Sequence, residues 1–370
     1  MNVKLFRILS RSYVLGVALW AVLFVLVADR PWWMFIATSF GPWLFAPVPV
    51  LLILAWKRDR RSWWGALGLA GLALCLWGPL FLPRSSPEGD PPAGGSRLTV
   101  LSFNVLYANQ RLDQVPALLA DSGADVIFLQ ELRPDSAGFL RQALADIYPY
   151  SVVDEEQQEL RPGILSKYPL TDAASPPELG WAVCTARLWL DGQPVRLVGV
   201  HYPVSFLGRI KGRSAIRLVQ DTVARREEQA SALLRFLRQH SEPAVVAGDF
   251  NSTPLSGFHR ILTEGGLRDS WKEAGFGFGH TWSPEQPLPF ARIDYVWVTP
   301  HWTVAAAEVR PWDGGSDHRG VRVELRLSER SPELARSPQP PGNGAARRSS
   351  APSSSPEPPG AARESPRALR

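Results

Sequence analysis

The sequence predicts an α/β protein: two packed sheets with helices on the outside, behind an N-terminal region inserted in a membrane. Three observations predict it. Residues 97–327 alternate strand-like apolar runs with a smaller number of helix-like ones. The helix-like stretch 222–240 sets Ala230, Leu233, Leu234 and Leu237 on one face, as a helix covering a sheet requires. Ahead of this region stand three long apolar runs within the first 84 residues.

The first run, 12–28 (SYVLGVALWAVLFVLVA), has about 17 residues, near the lower limit for a spanning helix. The second, 32–56, is rich in Trp and interrupted by Pro42, Pro47 and Pro49, so it is read as a kinked span or a re-entrant segment. The third is 62–82, SWWGALGLAGLALCLWGPLFL. Trp32, Trp33, Trp56, Trp63 and Trp64 sit at the ends of these runs, where aromatic belts meet the membrane interface. A signal peptide followed by soluble helices, or buried core helices, are the competing readings, and three successive runs of this length argue against both. Lys4, Arg7 and Arg11 precede the first run, and Lys57, Arg58, Arg60 and Arg61 fill the second loop. Basic residues favour the cytoplasmic side, so three spans place everything after residue 84 outside the cytoplasm. A re-entrant second run would reverse that orientation.

Residues 85–96 lie in the Pro-, Gly- and Ser-rich stretch PRSSPEGDPPAGGS and read as a linker. From 328 to 370 the chain is rich in Pro, Ser, Ala and Arg and poor in large apolar residues, the composition of a disordered tail. Between them, strands are expected at 98–106, 125–132, 182–190, 195–202, 244–250, 292–299 and 321–327, and helices near 112–121, 135–146, 222–240 and 255–264.

The formal charge of +5 invites a nucleic-acid reading, but the charge is unevenly placed. Residues 97–327 hold about 24 Lys and Arg against about 27 Asp and Glu, so the basic surplus belongs to the two ends. No zinc-finger spacing or other nucleic-acid-reading module is present. The two cysteines are too few and too far apart for a disulfide framework or a zinc site.

Chemistry concentrates at strand ends. In GDFNSTP (248–254), strand alternation would send Asp249 and Asn251 to one face and Phe250 into a core, with Gly248 allowing a close backbone approach and Pro254 suiting the first turn of a helix. Asn104, Glu131 and His201 end three other strand-like runs, Asp294 interrupts the apolar RIDYVWV, and Asp317 and His318 precede the last strand. A carboxylate inside an apolar strand is costly unless paired, which makes Asp294 the most telling of them. Four carboxylates, two amides and two imidazoles, with no thiol, suit a hard cation such as Mg²⁺ or Mn²⁺ and phosphoester hydrolysis.

The stretches SFNVL, LQEL, GILSKYPL, VGVHYP, GDFNSTP, RIDYVWV and SDHRGV resemble, in their order, the endonuclease/exonuclease/phosphatase superfamily. That group includes pancreatic-type deoxyribonuclease, the abasic-site endonucleases and the sphingomyelinase-type phosphodiesterases. The resemblance covers nearly all of 97–327. It implies a four-layer α/β sandwich with the active site at one edge of two packed sheets, here preceded by three transmembrane helices. It implies that Asn104 and Glu131 hold the divalent ion with Asp317 close by. Asp249 orients or activates the attacking water, and Asn251 steadies the water and the phosphoryl oxygens. His318 contacts the phosphate, held by Asp294. His201 matches the histidine that the deoxyribonuclease branch uses near the leaving group. No counterpart of the acid that orients this histidine is found, and Glu159 is a candidate by position only.

The segment after His201 carries Arg209, Lys211, Arg213 and Arg217, interleaved with apolar residues. It is read either as a solvated loop or as an anion-binding loop for substrate phosphates or lipid headgroups. The reading is thus a multi-pass membrane protein whose extracytoplasmic domain hydrolyses a phosphoester, on a phospholipid headgroup or a nucleic acid, with the bilayer as a further partner and no protein partner evident. A membrane-anchored binding protein that kept the fold without turnover is the alternative. A transporter is weaker, since the spans hold almost no ionisable residue.

Overall fold

A computed structural model describes residues 2–82, 96–155, 160–180, 182–202, 213–283 and 291–327, with backbone alone at 213–216 and 218. Nearly all of the linker, the tail, Glu159, Arg209 and Lys211 lie outside these residues.

Among the described residues, twelve strands form two mixed sheets. They are β1 (Arg97–Asn104), β2 (Val126–Leu132), β3 (Tyr150–Val152), β4 (Arg161–Ser166), β5 (Leu170–Ala174), β6 (Val183–Leu190), β7 (Gln193–His201), β8 (Ala244–Asp249), β9 (Arg268–Asp269), β10 (Asp294–Val298), β11 (Trp302–Val309) and β12 (Val321–Leu327). The first sheet has the order β11-β12-β1-β2-β4-β3, and the second β5-β6-β7-β8-β10-β9. Within each sheet one parallel pair, β1 with β2 and β7 with β8, sits among antiparallel neighbours.

The helices are α1 (Val3–Val27), α2 (Trp32–Ser39), α3 (Gly41–Leu44), α4 (Val48–Ala55), α5 (Arg60–Trp77), α6 (Val115–Asp121), α7 (Pro134–Ala143), α8 (Arg213–Gln239), α9 (Gly257–Glu264) and α10 (Ser270–Ala274).

Strand alternation sorts the side chains into layers. Leu98, Val100 and Phe128 of the first sheet meet Leu197, Val245, Ala247 and Val296 of the second in the central core. On the outer faces, Leu101, Phe103 and Ile127 pack under α6 and α7, while Val246, Tyr295 and Trp297 pack under α8 and α9. The result is helix, sheet, sheet, helix, the four-layer arrangement read from the sequence. The core-forming positions are almost all fully buried, which the hydrophobic effect rewards at about 25 cal/mol per Å².

The expected strands are all present, but β3, β4, β5, β9 and β11 were not among them. β5 is an exposed edge with no apolar alternation. β11 carries three consecutive alanines and a register shift between Val304 and Ala306. Helix α8 starts at Arg213, well before the expected 222, and α9 starts at Gly257 with Ser256 accepting from the His259 N–H, so Pro254 precedes that helix rather than opening it.

Among the described residues, two helices, Val3–Val27 and Arg60–Phe81 with its short 3₁₀ extension, are long and apolar enough to cross a membrane. The middle apolar segment is a pair, Trp32–Ser39 and Gly41–Ala55, bent by 76°. Its break falls beside Pro42, which cannot donate a helical hydrogen bond. At one end of the bundle, Arg7 donates to the Arg58 carbonyl and Arg11 pairs with Asp59 at 2.8 Å. The two basic clusters thus sit together. The opposite end meets the sandwich: Gly277 N–H donates to the Leu80 carbonyl, and Phe81 packs edge-on against Phe276 and Phe278.

Candidate functional site

The site lies at one end of the gap between the sheets. Asn104, His201, Asp249 and Asp294 continue the inter-sheet faces of β1, β7, β8 and β10 at positions where the hydrophobic pattern has just stopped. Register holds three of them side by side, since Asp249 lies opposite His201 on one flank and Asp294 on the other. Asp294 opens β10 instead of interrupting it.

Gly248 makes the close strand pairing possible. Its φ is +152°, and a Cβ there would lie 1.8 Å from the Val200 carbonyl oxygen, so the close approach is by strand β7 itself.

Glu131 breaks the alternation. A regular strand would turn it outward with Ile127 and Leu129, under the helices. Instead its φ is +58° and the β2–β4 register shifts between Leu129 and Leu132, swinging the carboxylate to the sheet end. There Asn104 Nδ2 donates to Glu131 Oε1 at 3.2 Å and to Asp249 Oδ2 at 3.1 Å. The Tyr107 N–H donates to Glu131 Oε2 at 3.1 Å.

Asn251 reaches the site by a turn, not by strand alternation. The strand ends at Asp249, Asn251 adopts φ +48°, and its N–H donates back to Asp249 Oδ1 at 2.8 Å. Its Nδ2 donates to Asp249 Oδ2 at 3.1 Å and to the Tyr202 carbonyl at 2.9 Å. Phe250 does anchor the opposite face, packed on Tyr202, Phe258 and Tyr295. Two non-glycine residues at positive φ in one site is the kind of stored strain found where geometry serves function.

His318 bridges the acids. Its Nδ1 lies 2.9 Å from Asp294 Oδ2, and its Nε2 is 3.8 Å from Asp249 Oδ2 and 3.9 Å from Asp317 Oδ1. Burial works against its charge, but Asp294 and then Asp249 outweigh burial and push it up to about 10. Burial also pushes Asp249 up to about 8, with Asp294 adding to the effect and His318 opposing it. Burial drives His201 below its ordinary value against the pull of Glu131, whose Oε1 lies 3.6 Å from Nε2. Neither ring nitrogen of His201 has a hydrogen-bond partner among the described residues. The acid that would orient this histidine is therefore not found among them, and Glu159 lies outside.

Asp249, Asp294 and His318 offer ligand atoms within 4.8 Å of one another. Asp317 stands at the rim, with Oδ2 accepting from the Trp282 indole at 3.2 Å and Oδ1 unsatisfied. Asp294 Oδ1 is buried and unsatisfied as well. Crowded acids with orphaned oxygens and no thiol fit a hard divalent cation, which would relieve their mutual repulsion. Of the basic segment, Arg213 begins α8 and Arg217 lies exposed on it; Arg209 and Lys211 are not described.

Several supporting residues escaped the sequence reading. Ser316 donates to the Asn104 carbonyl at 2.6 Å and accepts from the His318 N–H, tying two strand ends together. Thr281 accepts from the Asp294 N–H. Arg226 donates from Nη2 to the Asn251 carbonyl. The signal for Arg226 was available, because it stands four residues before Ala230 on the apolar stripe of α8.

Comparison with known proteins agrees with this geometry. Residues 101–318 match the model of the Endonuclease/Exonuclease/phosphatase family. No curated protein matches the chain. Among solved structures, an endonuclease/exonuclease/phosphatase from Bacteroides vulgatus superposes with a TM-score of 0.52 at 22% identity, covering 63% of this chain and 100% of that one. A family protein from Bacteroides thetaiotaomicron gives 0.51 at 19% identity, covering 64% and 100%. At these identities the likeness shows the fold. The family match spans more than half of the sequence and runs from the first strand of the sandwich to His318, and the chain belongs to the Endonuclease/Exonuclease/phosphatase family.

Proposed function

We propose that the protein is a membrane-anchored, divalent-metal-dependent phosphohydrolase that cleaves a phosphoester by water attack. The observation that carries this reading is the convergence of Asn104, Glu131, Asp249, Asn251, Asp294 and His318, from separate strand ends and loops, into one buried cluster. Asn104 and Glu131, with Asp317 nearby, would hold Mg²⁺ or Mn²⁺. When bound, the ion polarises a phosphoryl oxygen and offsets developing negative charge.

The chain's own residues do the rest. Asp249, whose carboxylate form the nearby cation and His318 would favour against burial, orients the attacking water and takes its proton, and its two hydrogen bonds from Asn251 fix the carboxylate's orientation. His318, held as the imidazolium by Asp294, donates from Nε2 to a phosphoryl oxygen. His201, which burial disfavours as the imidazolium, would donate an N–H hydrogen bond to the leaving oxygen. The basic residues Arg209, Lys211, Arg213 and Arg217 would receive the phosphate groups of a lipid headgroup or nucleic acid.

The catalytic domain sits on the extracytoplasmic side. This is supported by the gathering of both basic clusters at the end of the helix bundle away from the sandwich. The purified full chain in detergent, assayed against DNA, RNA, sphingomyelin, phosphoinositides and simple monoesters, tests the reading. Hydrolysis that disappears in Asp249→Ala is the expected result. No hydrolysis of any of them by the folded wild type favours the binding-protein alternative.

A further inference from the structure

The loop that carries Asn251 is fastened to the apolar N-terminal region at three points. First, the Gly257 N–H donates to Asp29 Oδ1 at 2.8 Å, in the turn between α1 and α2. The approach is so close that a Cβ on Gly257 would stand 2.8 Å from that oxygen. Second, Leu255 packs among the apolar residues of the N-terminal bundle, and a Cβ on Gly41 would stand 2.9 Å from its Cδ1. Third, Arg226 donates to the Asn251 carbonyl while its guanidinium lies 5.1 Å from the centre of the Phe35 ring. Asp29 and Arg226 are both buried, at 6% and 3% exposure, and attract one another across the junction.

These contacts bear on the loop that holds Asp249. Asn251 holds both Asp249 oxygens from a left-handed backbone conformation. Asn tolerates this conformation, so what fixes the loop around it is its contacts with its neighbours. The surroundings on this side are Arg226 and the segment 252–257, and both lean on the N-terminal region. We infer that the α1–α2 turn is a positioning element of the active site, with Asp29 and Arg226 as positioning residues that set the loop bearing Asn251. The anchor would then shape the site as well as localise it. The kinetic part of this inference rests on the phosphohydrolase reading.

The test uses the full chain in lipid nanodiscs, with Asp29→Ala, Asp29→Asn, Arg226→Lys and, as a control, Arg141→Ala. Arg141 forms an exposed pair with Glu155 on α7, which covers the other sheet, away from the junction. Misplacing a reacting group by a fraction of an ångström costs on the order of tenfold to a hundredfold in rate. Asp29→Ala and Arg226→Lys are therefore expected to lower kcat by that order per folded molecule, with KM little changed. Asp29→Asn, which keeps an acceptor for the Gly257 N–H, should recover part of the loss, and Arg141→Ala should match wild type. Amide hydrogen exchange provides a readout independent of turnover, and the amides of 250–257 should exchange faster in Asp29→Ala. Wild-type kcat and wild-type exchange in Asp29→Ala would overturn the inference, and so would activity lost only in proportion to unfolded protein. If wild type itself hydrolyses nothing, the functional reading fails and the exchange measurement alone decides the coupling.

Discussion

Replacing Asp294 with Asn isolates one interaction, the 2.9 Å contact between Asp294 Oδ2 and His318 Nδ1. Asn has nearly the same shape and can still accept a hydrogen bond, so the main loss is the negative charge. Of the groups that raise His318 from 6.5 to about 10, Asp294 is the largest. A buried, charge-assisted hydrogen bond contributes about 1.5–3 kcal/mol, and each pH unit corresponds to about 1.4 kcal/mol. Loss of the charge should therefore bring the imidazolium down by one to two units. Because the folded value lies above the ordinary one, the stabilisation from this proton is fully present below pH 6.5 and is lost as pH rises through about 10. The variant should lose it at lower pH. In a kcat/KM profile from pH 5 to 10 on an artificial phosphodiester, the alkaline limb should move down by one unit or more. The rate at neutral pH should fall roughly tenfold to a hundredfold. An unmoved limb with a wild-type rate would refute the claim that His318 works as an imidazolium held by Asp294.

Other consequences are as direct. Gly248→Ala should destabilise the fold by about 3 kcal/mol or more, since the new Cβ would collide with the Val200 carbonyl at a positive φ; a thermal melt within a degree of wild type would contradict the pairing described. The second buried network, Arg292–Asp269–His259, makes stability pH-dependent. Burial drives His259 down to about 4 against the pull of Asp269, so its contribution is fully present above about pH 6.5 and is lost as pH falls towards 4. Urea midpoints should decline over that window, and His259→Gln should flatten the decline. Neutralising Arg209, Lys211, Arg213 and Arg217 together should weaken turnover of polyanionic or lipid phosphoesters, whereas unchanged turnover of every substrate would remove this segment from the site.

Much of the sandwich was legible because its central strands are continuous apolar runs closed by polar residues. Buried strands announce themselves in that way. The strands that escaped are edges or interrupted ones. β4 begins with Arg-Pro-Gly and β5 exposes most of its side chains. The site residues were readable as strand-end anomalies, but their geometry was not. Glu131 reaches the site through a bulge that violates the alternation used to find it, and Asn251 through a turn. Local backbone departures of this kind are set by tertiary contacts, such as the Asn104 amide that joins Glu131 to Asp249. The Asp29–Gly257 contact joins residues 228 apart, and no periodicity marks it. In Arg226 a charge on an apolar stripe was visible and went unread.

Asn104, Glu131 and Asp317, distant in the chain, would share one divalent cation in a phosphoester-cleaving site. That sharing is tested most directly by turnover of an artificial phosphodiester by the full chain, stripped with chelator and titrated with Mg²⁺ or Mn²⁺, for wild type and Glu131→Gln. No turnover is expected without metal, with restoration on titration and a half-saturating metal concentration at least about tenfold higher in the variant. Full activity in excess chelator, or identical metal titrations for the two proteins, would contradict it.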